Sequence, residues 1–324
     1  MPQPTTREVH FDQVLTQIAV AYIQDTKKFI ADRVFPIVPV EKQSDKVLMF
    51  SREGWLRIQA GKRAPGAESP GGGFSIAGST TYFCDIYAFH WDVPYAVFKN
   101  ADIPDLERQV VETVTYQLLL LREKTFVQNF FDATGKTPGV DFWNFGPPAA
   151  KWDDPNSDPL KEILEKKQEI EAFTGIAPNK IVMSERVYNA LRMHPKIQAQ
   201  VVYAPTAPDV KGLVTPELLA KLFDVEEVLI GRAVHDTNPE GTELSPTYMY
   251  PDNCLLVYAP ERPGLMVPTG GYIFAWTGYN SGYNVGIATI DLPTHKAVRY
   301  EGEMAYDQKI LAPDLGYLFT NVLG

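Results

Sequence analysis

The sequence predicts an α+β protein in which strands and helices dominate different parts of the chain. Three observations indicate this. Residues 46–92 alternate like strands around a glycine- and proline-rich stretch, residues 104–131 carry the pattern of one long helix, and residues 153–290 alternate short helices with short strands. With 324 residues, 45% of them hydrophobic and 12% aromatic, the chain is long and apolar enough to bury a substantial core.

Residues 22–45 are predicted to form an extended apolar arm. Aromatic and β-branched residues lie here beside Pro36 and Pro39, which cannot continue a helix or donate to a central sheet. An extended apolar segment needs a partner surface, so Phe29 and Phe35 are candidates for contact with something outside the subunit. An ordinary edge strand of the chain's own fold is an equally good interpretation of the pattern.

Residues 46–92 are predicted to form a long hairpin-like loop. Its apolar stretches are 47–50 and 55–58 on one side, and 74–77 and 81–91 on the other. The tip between them, residues 61–73, has almost no large side chains and cannot bury much of itself. Long loops of this kind are typically functional or disordered.

The next segment, residues 104–131, is the clearest helix of the sequence. Pro104 suits a first turn, and Gly135 follows the predicted end. At 1.5 Å per residue the helix would be on the order of 40 Å long. Its apolar stripe comprises Leu106, Val110, Val114, Leu118 and Leu121.

Local signals also define the elements between residues 153 and 324. Ser157 and Ser184 are predicted helix N-caps, Gly175 a helix stop, and Pro195 the end of the helix begun at Ser184. Thr215 is predicted to begin a further helix. The strands are expected at 180–183, 225–233, 254–258, 272–276 and, around a turn at 313–316, within 296–324. Cys84 and Cys254 are far apart in apolar stretches and are predicted to be buried thiols.

Composition and motifs exclude several functions. A formal charge of −10 and a pI near 5.1 disfavour a protein that grips nucleic-acid phosphates. The five histidines show no metal-ligand spacing, and we expect no catalytic, cofactor or metal site. His194 is interpreted as a helix-end cation. Residues 264–290 carry no formal charge but are too rich in glycine for a membrane helix, so we expect a cytoplasmic protein with no membrane partner.

Charge is unevenly distributed along the chain. Residues 42–63 contain six basic and two acidic residues, a net charge of +4, whereas acidic residues predominate at residues 102–112. This favours self-association, with the basic loop of one copy over the acidic helix start of the next, although solvated surfaces would show the same pattern. The assembly-interface candidates are Phe29, Phe35, Trp55, Arg57, Lys62, Arg63, Asp105, Glu107 and Glu112.

An arm, a hairpin-like loop, a long helix and an α/β unit, in this order, resemble the major capsid proteins of tailed bacteriophages, which have the Hong Kong 97-type fold. The local sequence strengthens the resemblance. The amino-terminal motifs are LTQIAVAY (15–22), FIADRVFP (29–36) and VEKQSDK (40–46); those similar to the axial domain are VYNAL (187–191) with His194-Pro195, LLAKLF (218–223) and VEEVLIGRA (225–233).

The resemblance implies a virion protein that self-assembles, in the host cytoplasm, into hexamers and pentamers of an icosahedral shell around double-stranded DNA. It implies an arm (1–45), an extended loop (46–92), a peripheral domain with a spine helix (93–152), an axial domain (153–287) and carboxyl-terminal strands of the peripheral domain (288–324). Scaffold, portal and decoration proteins are the implied partners. Because the chain starts at the arm, a scaffold, if one is used, is expected to be a separate protein.

Two alternatives stay open from the sequence. One is an encapsulin-like cargo shell of the same fold, and the other is an α/β hydrolase or transferase with a mobile lid at residues 60–73. Some relatives of this fold cross-link subunits through lysine and asparagine. Lys62, with Asn280 or Asn284, would be the candidate pair here, but no motif supplies the required carboxylate, so we expect no cross-link.

Overall fold

The fold is described from a computed structural model, which covers residues 24–50, 56–66, 68–73, 76–100, 106–202, 214–239, 241–264, 267–279 and 282–324. The helices are α1 (Ala31–Val34), α2 (Tyr95–Asn100), α3 (Leu106–Phe130), α4 (Pro159–Thr174), α5 (Glu185–Met193), α6 (Pro195–Val202) and α7 (Pro216–Leu222), with short 3-10 turns at Thr26–Lys28 and Pro313–Leu315.

The strands are β1 (Ile37–Val40), β2 (Ser44–Phe50), β3 (Ile76–Phe83), β4 (Asp85–Pro94), β5 (Asn144–Gly146), β6 (Lys180–Ser184), β7 (Glu227–Gly231), β8 (Val234–His235), β9 (Thr247–Tyr248), β10 (Cys254–Val257), β11 (Gly271–Trp276), β12 (Gly286–Leu292), β13 (Ala297–Ile310) and β14 (Gly316–Phe319). Helices and strands are both abundant and lie largely in separate segments, so the structure confirms the α+β prediction.

The first sheet is built around the 14-residue strand β13. Along one edge, residues 297–303 of β13 pair with β12 and residues 306–310 pair with β11. Strand β1 pairs in parallel with the far side of β11. Strand β4 pairs with the other edge of β13. Helix α3 packs across one face of this sheet. Gly302 of β13 permits the close approach, because a Cβ atom there would lie 2.7 Å from side-chain atoms of Val114 and Leu118.

Helix α3 has the predicted type and length, about 38 Å for its 25 residues. Its predicted start at Pro104 lies outside the described residues. The buried stripe winds around the helix more than expected: it advances by four residues from Val110 to Phe130, through positions 114, 118, 122 and 126, and each step of four turns it by about 40°. Leu121 is therefore 38% exposed, which corrects its place in the predicted stripe.

The second sheet has the strand order β5-β14-β10-β6-β7 and is covered by helices of the segment 159–222. Its helix ends follow the local signals. Ser184 and Thr215 cap α5 and α7, and Gly175 ends α4 in the left-handed conformation with φ +77°. Ser157 does not cap α4, because the side chain of the next residue, Asp158, accepts the hydrogen bond from the Lys161 amide instead.

Strand pairing does not follow the predicted domain boundary at residues 287 and 288. Strand β11 lies in the predicted axial range, 153–287, but pairs with β1 and β13 in the first sheet. Strand β14 lies in the predicted peripheral range, 288–324, but pairs with β10 and β5 in the second sheet. The boundaries stay predictions, and these pairings show that the chain crosses between the two sheets more often than its element order indicated.

The predicted hairpin is formed by β2 and β3, which pair antiparallel from Ser44 opposite Phe83 to Phe50 opposite Ile76. The second apolar run of the hairpin divides at Cys84, after which β4 joins the first sheet. Residues 56–58 form no strand, which corrects that part of the predicted stretch 55–58. Cys84 and Cys254 are buried free thiols, as predicted. Among the described residues, no helix is both long and apolar enough to cross a bilayer.

Candidate assembly surface

The described part of the arm, from Gln24 onward, is anchored in its own subunit. Phe35 is 2% exposed, and its ring centroid lies 4.6 Å from that of Phe130 and 6.1 Å from that of Trp143. Phe29 is also buried, and β1 pairs with β11. These contacts correct the expectation that Phe29 and Phe35 reach outside the subunit. The chain's own core supplies the surface they need, so the edge-strand interpretation holds for residues 37–40.

A buried carboxylate holds the start of helix α1. The two oxygens of Glu123, on α3, accept hydrogen bonds from the backbone amides of Ile30 and Ala31, each at 2.9 Å. The Tyr250 hydroxyl donates to the same carboxylate at 2.6 Å. Burial raises the pKa of Glu123, while these three donors oppose the rise. The carboxylate therefore satisfies amides that a four-residue helix cannot satisfy itself.

A buried ammonium holds the other end of α1. The Nζ atom of Lys180, on β6, donates to the backbone carbonyls of Arg33 at 2.8 Å and Val34 at 3.0 Å. Burial lowers the pKa of this lysine. A carboxylate at the amino end and an ammonium at the carboxyl end match the sign of the helix dipole. The arm is thus clamped between α3 of the first sheet and β6 of the second.

A third charged side chain supports the clamp from α3. The guanidinium of Arg122 lies 4.5 Å from the centre of the Tyr283 ring and 3.5 Å from the Asp32 carboxylate. The sequence prediction included none of Arg122, Glu123 and Lys180. A signal for Arg122 was present, because the four-residue repeat from Val110 places position 122 on the buried face of α3.

The described tip of the β2–β3 hairpin is exposed in the subunit, with the Leu56 side chain close to Gly175 at the end of α4. Arg57, Lys62 and Arg63 are exposed, as predicted, and Ile58 is 94% exposed. The amide of Gln59 bridges the two sides of the tip, accepting from the Gly73 backbone amide at 3.1 Å. The tip therefore presents positive charge and the Ile58 side chain to solvent.

The acidic start of α3 carries the other half of the predicted charge pairing. Glu112 forms an ion pair with Arg108 at 2.8 Å, and Glu107 lies beside the Tyr300 hydroxyl. Trp55 and Asp105 lie outside the described residues. Within the described part of the chain, no hydrogen bond or ion pair joins Lys62 or Arg63 to Glu107 or Glu112. The pairing of these two surfaces stays a prediction, and it concerns neighbouring copies.

One open cleft in the described part of the chain shows how its surface depressions are lined. One cleft of about 520 Å³ runs between α4 and α6 and is lined by solvated side chains such as Lys161 and Lys196. Among the described residues, no group of three His, Cys, Asp or Glu side chains is placed to hold a metal ion. The predicted lid segment, residues 60–73, is the exposed hairpin tip.

A buried serine–histidine contact has a structural explanation. The Nε2 atom of His194 lies 3.1 Å from the Ser157 hydroxyl, and both residues are 3% exposed. The hydroxyl donates to the Asp154 carbonyl at 2.8 Å. Its proton is therefore engaged by the backbone, and the pair ties the loop before α4 to the end of α5. His194 lies at a helix end as predicted, as the C-cap residue of α5, and the loop before α4 covers it.

Comparisons with known proteins agree on one class of protein. No family model matches the chain. The chain is 26% identical over 314 residues to the major capsid protein of Burkholderia phage BcepMu, covering 97% of both chains. It is 27% identical over 317 residues to that of Pseudomonas phage JBD67, covering 96% of this chain and 97% of the relative.

Solved structures with the same fold include other shell proteins. A phage-related protein from Bordetella bronchiseptica RB50 superposes with a TM-score of 0.66 at 24% identity, covering 96% of this chain and 97% of that one. The capsid of cyanophage P-SCSP1u gives a TM-score of 0.60 at 9% identity, over 94% and 90% of the two chains. The SrpI encapsulin of Synechococcus elongatus PCC 7942 gives 0.56 at 12% identity, over 96% and 95%. The sequence relatives span nearly the whole chain and the fold is that of viral shells, so the chain belongs to the major capsid proteins of tailed bacteriophages, with the Hong Kong 97-type fold.

Proposed function

We propose that copies of this capsid protein form the hexamers and pentamers of a closed icosahedral head, which encloses double-stranded DNA in the virion. The exposed, positively charged hairpin tip is the observation that supports this most strongly. The tip exposes 94% of Ile58 next to cationic side chains, and the base of the hairpin is fixed to the first sheet by a small core that includes Tyr82 and Phe274. A tip that exposes apolar and charged side chains, on a hairpin whose base is packed, suits repeated contact with a neighbouring copy.

The proposed partner surface of the tip is the start of α3 on the next subunit. Arg57, Lys62 and Arg63 carry charge opposite to that of Glu107 and Glu112. Opposite charges of this kind fix orientation and speed association more than they add affinity. Each contact can be weak, because a subunit held by several neighbours gains stability from all of them together.

The charge of the chain fits a container better than a DNA-binding protein. A formal charge of −10 per subunit repels the phosphate backbone on average. DNA packed inside such a wall is enclosed without being gripped, so it can leave freely. Assembly in the host cytoplasm, with portal and decoration proteins as partners, completes the proposal.

Reversing the charge of the hairpin tip should weaken assembly while leaving the fold intact. The variant Arg57→Glu/Lys62→Glu/Arg63→Glu replaces attraction to the neighbour's acidic helix start with repulsion. We expect at least a tenfold rise in the subunit concentration needed for assembly at low salt, with a smaller effect at high salt because ions screen exposed charges. Sedimentation velocity measures the assembled fraction at each salt concentration.

A matched variant changes net charge equally at exposed cations elsewhere: Lys136→Glu/Lys221→Glu/Arg262→Glu. It should assemble closer to the wild-type concentration than the tip variant does. If the tip variant assembles as well as the wild type at both salt concentrations, the tip does not make the proposed contact.

We expect the shell to be held together without isopeptide cross-links. Lys62 is exposed at the hairpin tip and Asn284 is exposed before β12, but no buried carboxylate accompanies Lys62 among the described residues. Asn280 lies outside the described residues. Denaturing electrophoresis of mature shells should therefore give a single band at about 36 kDa, the mass of one chain. A ladder of multiples of that mass would show that subunits are fused.

An encapsulin-like cargo shell is the second candidate, because the SrpI encapsulin shares the fold. The two proposals differ in content and in companions. Shells purified from lysed host cells should contain nuclease-protected DNA in the first case and a cargo protein in the second. Genes for a portal and a terminase beside this gene would support the phage head.

A further inference from the structure

Strand β12 forms an open edge of the first sheet. It pairs with β13 along its whole length, from Gly286 opposite Glu303 to Leu292 opposite Ala297, and with no other strand within the described residues. Residues 287–291 are exposed, including 37% of Ile287 and 40% of Ile290. Such a strand offers a row of unpaired backbone groups to another chain.

The register shows which residues face outward. The amide of Ala305 donates to Gly282 on the β12 side of β13, so the odd-numbered residues of β13 turn their backbone groups toward β12. These odd residues lie opposite Gly286, Ala288, Ile290 and Leu292. The intervening residues, Ile287, Thr289 and Asp291, therefore direct three N–H and three C=O groups to the open edge.

Another edge strand of the same sheet, β1, is protected against strand addition, and β12 is not. The carbonyls of Pro36, just before β1, and of Val40 accept hydrogen bonds from the β11 side. Pro39 therefore takes an outward position, where its missing N–H blocks strand addition. Strand β12 has no proline or lysine to discourage pairing, whereas soluble proteins usually guard an edge of this length.

Pairing of β12 with its own copy places no like charges opposite each other. In an antiparallel pair centred on Thr289, the two Thr289 residues lie opposite each other and Ile287 lies opposite Asp291. On the other face, Ala288 lies opposite Ile290, so apolar side chains meet. The one charged residue, Asp291, never faces its own copy.

We propose that β12 pairs antiparallel with β12 of a second copy, across a two-fold axis at Thr289, and joins two first sheets into one continuous sheet. The pairing forms six backbone hydrogen bonds between subunits. It is an isologous contact, in which each copy uses the same surface. It rests on the proposed assembly of copies, and it is separate from the contact of the hairpin tip.

The direct test is a disulfide across the axis. In a hydrogen-bonded antiparallel pair the two Cα atoms lie about 5.5 Å apart, within the range that a disulfide spans. Thr289→Cys shells treated with a mild oxidant should therefore run mainly as covalent dimers on a non-reducing denaturing gel. The natural cysteines, Cys84 and Cys254, are buried and free, so they add little background.

The matched control is Thr294→Cys, five residues further along in an exposed turn. In the proposed pair it would lie roughly 34 Å from its copy, so it should stay monomeric. Equal dimer yields from Thr289→Cys and Thr294→Cys, or no dimer from either, would overturn the pairing.

A second variant tests the backbone contact. Thr289→Pro removes an outward N–H and spares the hydrogen bonds to β13, so circular dichroism should be unchanged while assembly falls at least tenfold. Thr289→Val should assemble normally, and normal assembly of folded Thr289→Pro would contradict the pairing. If the wild type forms no shells, the proposed function fails, but oxidation of soluble Thr289→Cys still tests β12: dimers support the pairing and monomers refute it.

Discussion

Replacing Glu123 with alanine is expected to cost the subunit about 3–5 kcal/mol of unfolding free energy. The substitution removes the acceptor of three hydrogen bonds, from the amides of Ile30 and Ala31 and the hydroxyl of Tyr250. It also leaves the neighbouring Arg122 guanidinium, which is 7% exposed, with less negative charge around it. Urea unfolding of the unassembled subunit, followed by circular dichroism, measures the loss.

Glu123→Gln is the matched control, because it keeps the shape and one acceptor oxygen. We expect a smaller loss of about 1–3 kcal/mol, since the amide NH₂ group would face a donor.

Burial raises the pKa of Glu123, so the folded subunit binds a proton at this carboxyl group more tightly than the unfolded chain does. The wild type should exceed Glu123→Gln in unfolding free energy by most at a pH below the pKa of Glu123 in the unfolded chain. This difference should decline as pH rises through the pKa of Glu123 in the folded subunit. Wild-type stability in Glu123→Ala would show that the carboxylate does not clamp α1.

Replacing Phe35 with alanine should also cost about 3–5 kcal/mol, through the cavity left in the core. The ring is 2% exposed and lies among Phe126, Phe130 and Trp143. The loss should appear in the isolated subunit at any protein concentration. Thermal or urea unfolding of unassembled protein measures it.

The control for Phe35 is Ile58→Ala, which shortens an apolar side chain at the exposed hairpin tip. Its effect on unfolding should stay within about 0.5 kcal/mol, because the side chain is 94% exposed in the subunit. It should instead weaken assembly. If Phe35→Ala leaves the subunit as stable as wild type but prevents assembly, Phe35 is an interface residue after all.

The sequence predicted those parts of the fold that local chemistry determines. Helix α3 is set by a four-residue apolar repeat, and Gly175 and Ser184 end or begin helices where their own backbone and side-chain preferences require it. Ser157 is an instructive exception. Pro159 occupies the first helical position, which places Asp158 and not Ser157 at the N-cap, and Ser157 instead contacts His194.

Long-range pairing was less predictable, because hydrophobic pattern alone does not identify a strand's partner. Strands β11 and β14 have the expected positions, but each lies in the sheet opposite to the one that chain order indicated. The same limit explains the arm. Phe29 and Phe35 need an apolar partner, and the sequence does not say whether the partner is the chain's own α3 or a neighbouring copy.

The candidate assembly surface was predicted in part. Arg57, Lys62 and Arg63 are exposed as the charge pattern indicated, since cations in a glycine-rich loop have no core to enter. Glu123 and Lys180 were missed, because isolated charged residues in amphipathic elements usually lie in solvent. Their role depends on where α1 begins and ends, and only the folded chain brings these elements together.

Electron microscopy of the purified full-length chain tests the central claim most directly. We predict closed shells of uniform size, in which each hairpin tip, residues 56–73, lies over the start of α3 on a neighbouring subunit. A homogeneous population of monomers, at concentrations and salt conditions that span those used for assembly, would contradict the account.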